Sequence, residues 1–146
     1  MAGRGVHFAI TDQDMVKLGE ASDGNAIIAI VTEEIESRWE KEDGFVAETD
    51  KAWDAIHRCL TNGKLEYDAG EVPLKWCIIG GILICEEDHC IISLVEHHNL
   101  AELAHALEQI TKPWFRERYF TISQDDYESS IGEEDFEYTW SWFSGL

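Results

Sequence analysis

Four cysteines and six histidines are the residues of this chain best suited to chemistry, and their spacing decides what they can do. Cys85, His89 and Cys90, with His97 and His98 close behind, hold enough soft ligands for a zinc ion. There is no Cys-x-x-Cys pair, however, and Cys85 and Cys90 fall in short apolar runs of strand character, where a cysteine packs as a small apolar group. Neither a metal nor any other cofactor is expected. His57 and Cys59 lie two apart on one helix and point in different directions, so they cannot pair as base and nucleophile. Trp53 and His57 are four apart and stack on one helix face. With the Gly80-Gly81 turn they could line a pocket, although a core histidine held by one hydrogen bond is the more ordinary outcome. The acid pairs Glu33-Glu34, Glu86-Glu87 and Asp125-Asp126 show no carboxyl set in an apolar pocket, which acid–base catalysis requires. Gly80-Gly81 lacks the flanking residues of a phosphate loop. No catalytic set emerges, and the balance leans against an enzyme.

Charge is the unusual feature. Thirty Asp and Glu face eleven Lys and Arg, a formal net charge of −19 over 146 residues. Such a field repels phosphate backbones and anionic lipid surfaces, so neither nucleic acid nor membrane is the expected partner. A basic protein is favoured by the same field, although acidic surfaces also serve simply to keep proteins in solution. The opening MAGRGVHFAI carries no apolar stretch of signal-peptide length, and no run approaches the ~20 apolar residues that span a bilayer. The cysteines then read as reduced thiols of a cytoplasmic protein.

The elements that must position these groups can be read from periodicity. Val6–Ile10 alternates and predicts a strand; Thr11 with Asp14 predicts a capped helix to about Leu18. Ile28, Val31, Ile35 and Trp39 share a helical face and predict a helix over Asn25–Lys41. Thr49 is the expected cap of a helix over Asp50–Thr61, with Trp53, Ile56 and Leu60 buried, Lys51 and Asp54 on the solvated side, and Asn62-Gly63 ending it. Ile82–Cys85 and Cys90–Val95 predict a hairpin around an acidic turn. Asn99 is the expected cap of a helix that buries Leu100, Leu103, Leu107 and Ile110; Pro113 then opens a further helical segment. A last helix from about Glu133 turns Phe136, Trp140 and Phe143 inward. With 45% apolar residues, six of them Trp, the chain can bury one core, and a single domain over 1–146 is expected.

The segments Gly5–Thr11, Asp50–His57, Cys59–Thr61, Ile79–Gly81 and Ile91–Leu107 together resemble the YfbM-like family of small bacterial α+β domains, with Lys51-Ala52-Trp53-Asp54 and His57 the most specific part. The resemblance implies a small mixed or antiparallel sheet, built from the first strand and the later hairpin and wrapped by about five helices. It implies no catalytic residues. The heavy acid load departs from the family pattern.

The strongest case for function lies in the C-terminal segment, where acids interleave with aromatics. Asp125, Asp126, Glu133, Glu134 and Glu137 could steer a basic surface in, and Tyr138 and Trp142 could anchor it. The plainer reading is an amphipathic helix whose acids face water. The leading expectation is a non-enzymatic acidic binding domain, in its most concrete form an immunity-type inhibitor of a basic bacterial toxin. The alternative is a small-molecule-binding protein or enzyme with a pocket near Trp53 and His57. A third reading is a module that self-associates through exposed Trp.

Overall fold

The computed structural model describes residues 3–39, 46–87 and 89–146. Strand β1 (Gly5–Phe8) leads into α1 (Asp12–Glu20) through the expected capping box. Thr11 Oγ1 accepts from Asp14 N at 3.2 Å, and Asp14 Oδ2 accepts from Thr11 N at 2.9 Å. Asp14 is buried and also takes the Arg38 guanidinium at 2.6 Å, so one carboxylate caps α1 and ties it to the next helical segment. The hydrogen bond from Arg38 holds the Asp14 carboxyl below its ordinary pKa.

The predicted helix over Asn25–Lys41 is helical but not α throughout. Asp23 caps α2 (Gly24–Ala29), which widens into a π-helical stretch, Ile30–Glu36, before a last turn, α3 (Ser37–Trp39). Thr32 Oγ1 donates back to Ile28 O at 2.9 Å, competing with the backbone ladder where β-branched residues crowd it. The widening rotates the expected stripe: Ile35 is fully buried, whereas Ile28, Val31 and Trp39 are only partly so. Glu40 and Lys41 lie outside the described residues.

The largest departure from the expectation follows. Thr49 does not cap a helix. It is a buried residue of strand β2 (Val46–Asp50), which pairs antiparallel with β1 in the register Val6↔Glu48 and Phe8↔Val46. Asp50 then takes a left-handed backbone, φ 43°, that turns the chain into α4 (Trp53–Leu60) with no side-chain cap. A second correction concerns Asp54, which is buried like every other residue of α4 rather than solvated. Gly63 ends the helix as expected: at φ 84° its N–H reaches Arg58 O at 3.0 Å, a conformation that suits a residue with no Cβ.

A loop and a short 3-10 turn (Leu74–Trp76) lead to the hairpin of β3 (Ile82–Glu87) and β4 (Cys90–Leu94). The hairpin is antiparallel as predicted but does not share a sheet with β1; the described strands form two separate two-stranded sheets. Helix α5 (His97–Glu108) begins two residues before Asn99, which therefore lies inside the first turn and caps nothing. Of its expected core face, Leu103 is buried, Leu107 and Ile110 pack at the core margin, and Leu100 is exposed. Thr111 caps α6 (Lys112–Tyr119), with Pro113 in the first turn where its missing N–H costs nothing.

Helix α7 (Glu133–Phe143) closes the core against α4 and α6. Phe115 and Phe143 stack with ring centroids 4.7 Å apart, and Phe115, Tyr119 and Phe136 are fully buried beside Ile56 and Cys59. Each aromatic removed from water there contributes about 1.5–3 kcal/mol. The result is one α+β domain in which a wholly buried central helix is covered by amphipathic ones. Among the described residues no helix is long and apolar enough to cross a membrane.

Candidate functional site

Helix α7 sorts its residues by face. Phe136, Thr139 and Phe143 are buried, while Glu134, Glu137 and Tyr138 face water. Its first-turn acids sit at the positive end of the helix dipole, which stabilises them. Two cations of α6 reach across to the acids: Arg116 pairs with Glu133 through Nη1 and Nη2, and Lys112 Nζ meets Glu137 at 2.8 Å. Tyr138 OH donates to Asp50 Oδ2 at 2.7 Å and its ring meets half-buried Trp142 edge-on at 6.4 Å. Glu134, Tyr138 and Trp142 follow one another at four-residue intervals and so form a stripe along α7, with Asp50 and Glu137 beside Tyr138 and Lys112.

The remaining acids of this segment do different work. Asp135 turns inward, where its Oδ2 accepts from Tyr119 OH at 2.6 Å and from Tyr127 OH at 2.8 Å. Burial, reinforced by that carboxylate, pushes both phenols well above their ordinary pKa. Asp126 is drawn to buried Arg58, whose Nη2 donates to its carbonyl at 2.9 Å and whose Nη1 reaches its carboxylate at 3.3 Å. Asp125 is exposed. Of the seven residues singled out in the sequence, Glu133, Glu134, Glu137, Tyr138 and Trp142 share α7; Asp125 and Asp126 lie in the preceding loop.

Trp53 and His57 are both buried and internally bonded. Trp53 Nε1 donates to Gly3 O at 3.0 Å, and His57 Nε2 donates to Glu66 O at 2.7 Å, fastening the following loop to α4. Burial lowers the His57 pKa, more than the bond to Glu66 raises it. A Cβ at Gly80 would overlap Lys75 O and one at Gly81 would overlap Leu94 O, so these glycines permit close backbone crossings. An open cleft of about 500 Å³ lies instead at the C-terminal end of α4, lined among others by Arg58, Thr61, Asn62, Trp114, Glu117 and Arg118. Its arginines were not singled out by sequence reasoning. The available signal was the four-residue spacing of Asp54 to Arg58 and of Trp114 to Arg118, which places each pair on one helix face.

The thiols are poorly set for reaction. Burial pushes Cys59 and Cys77 up to about 12. Cys85 is buried and its thiol points at Gly24 O, 3.7 Å away. Cys85 stands opposite Ile92 and Cys90 opposite Glu87, so the two cysteines are diagonal neighbours. Burial raises the pKa of both, with help from Glu87. Among the described residues, no three His, Cys, Asp or Glu side chains are grouped to hold a metal ion.

No curated protein and no solved structure matches the chain. A family model does, over residues 1–146. The chain thus belongs to the family described as a domain of unknown function, DUF1877.

Proposed function

We propose that this chain is a non-enzymatic binding domain of the YfbM-like kind, which receives a basic protein on the outward face of α7. In its most concrete form the partner is a bacterial toxin and the domain its immunity-type inhibitor. The observation that carries this reading is the stripe of exposed Glu134 and Tyr138 and half-buried Trp142, flanked by Asp50 and Glu137, on a chain of net charge −19. The long-range field raises the encounter rate with a cationic surface, and the aromatic pair offers an anchor that little conformational entropy opposes. Glu133 and Glu137 are already paired with Arg116 and Lys112, so a partner's cations must exchange with these or settle on Glu134 and Asp50. The buried, bonded state of Trp53 and His57 does not favour the alternative of a pocket between them.

Affinity capture from the native host, and co-expression with the product of the adjacent gene, test the proposal. A basic protein should copurify with the wild type and be lost from Glu134→Lys and from Trp142→Ala, with circular dichroism unchanged. A partner retained by both folded variants, or no protein partner from either route, counts decisively against it.

A further inference from the structure

The cleft at the end of α4 contains an unusual cation. Of the five arginines, Arg4, Arg38, Arg58 and Arg116 each pair with a carboxylate. Arg118 does not. Its Nε donates to Cys59 O and its Nη2 to Thr61 O, the last carbonyls of α4 and its exit, and its guanidinium lies 4.7 Å over the Trp114 ring. Carbonyls carry no net charge, and the negative end of the helix dipole offsets only about half of a unit charge. In a chain where acids outnumber bases by thirty to eleven, a guanidinium without a carboxylate among the described residues stands out. A guanidinium has five N–H donors; these two bonds use two of them, and Arg118 lines the cleft.

Rigidity supports a recognition role. Arg118 is held from below by two main-chain bonds and from the side by Trp114. The lining also includes Arg58, locked by Asp54 at 2.5 Å and by Asp126. Asn62 adds a neutral amide to the lining, and Glu117 is the one acid among the lining residues.

We infer that this cleft binds the oxyanion group of a small ligand, a carboxylate or a phosphate, with Arg118 as the donor fork and Trp114 as an aromatic wall. A planar fork that is already fixed loses little entropy on accepting two oxygens. The inference is independent of the partner proposed for α7.

The test uses the whole chain with acetate and inorganic phosphate as separate probes, which distinguishes the two oxyanion sources. The Trp114 indole resonance, assigned with Trp114→Phe, is followed by NMR during titration to about 50 mM, a range suited to a millimolar site. A saturable shift with at least one anion is expected, weakened about tenfold or more in Arg118→Lys, which keeps the charge but loses the fork. Should the Arg118 variant fail to fold, Glu117→Gln provides an independent readout: removing the like charge should tighten binding about two- to fivefold. No saturable shift with either anion overturns the inference, as does an affinity unchanged in Glu117→Gln and in a folded Arg118→Lys.

Discussion

Arg58 and Asp54 form an ion pair inside the core, with side chains 4% and 8% exposed. Removing one member leaves the other charged and unsolvated, whereas replacing both removes the problem. Arg58→Met alone should cost about 3–5 kcal/mol in urea unfolding, and Asp54→Leu with Arg58→Met should recover much of that loss. The pair was invisible to a reading that put Asp54 on the solvated side, because helical periodicity marks which residues share a face but not whether a helix is covered on every side. The buried histidines have a different consequence. His7, whose Nε2 lies 3.2 Å from Thr49 Oγ1, and His57 are both held below the ordinary value of 6.5 by burial. The unfolded chain therefore takes up these protons first as pH falls. Stability present above 6.5 should decline between that pH and the lower folded values. Asp54 and Arg58 flank His57 with opposite effects, so burial sets the sign. Urea midpoints measured from pH 7 down to about pH 5 should fall for the wild type and fall less for His57→Gln, which keeps an N–H for Glu66 O.

Elements whose own residues carry both a period and a stop were legible in advance: α1 with its Thr11 box, α4 with Gly63, the hairpin, and α7 with its inward aromatics. Strand β2 was not, since Val46–Asp50 is short, half polar and held in place by pairing with β1 some forty residues earlier. Thr49 is an equally good cap or strand residue, and only that long-range pairing decides between them. The π-helical stretch has no sequence period of its own, and the cleft depends on how α4 meets α6, which no local pattern encodes. The interleaved acids and aromatics of α7 are visible in the sequence, but not the way Lys112 and Arg116 neutralise part of them. Asp135 fixes this helix to its neighbours by taking both tyrosine hydroxyls. Asp135→Ala leaves two phenols without their shared acceptor, Tyr119 fully buried and Tyr127 nearly so. A loss of about 1–3 kcal/mol for each hydroxyl is expected, read as a lower urea midpoint. Phe136→Ala, at a position with no exposure, should cost about 3–5 kcal/mol by the same measurement.

At the scale of the whole molecule, one charge distribution governs a folding equilibrium and an association rate with opposite responses to salt. Nineteen net negative charges on 146 residues repel one another in the compact state and less in the expanded chain. Screening shortens the reach of that repulsion from about 30 Å at 0.01 M salt to about 8 Å at 0.15 M. The melting temperature should therefore rise by a few degrees over that range, the shift that about 1 kcal/mol produces in a domain of this size. Surface pairs such as Lys17 with Glu34 weaken under the same screening, but exposed pairs of this kind contribute only about 0–1 kcal/mol each and cannot reverse the trend. Association with a basic partner on α7 runs the other way, because its encounter rate depends on the unscreened field. Once a partner is captured, salt should slow its association while stabilising the free domain. Scanning calorimetry of the free chain and stopped-flow mixing of the pair across one salt series measure both quantities. Matched signs would mean that the acids serve the chain's own solvation rather than recognition, and the stripe of Glu134, Tyr138 and Trp142 would lose its electrostatic rationale.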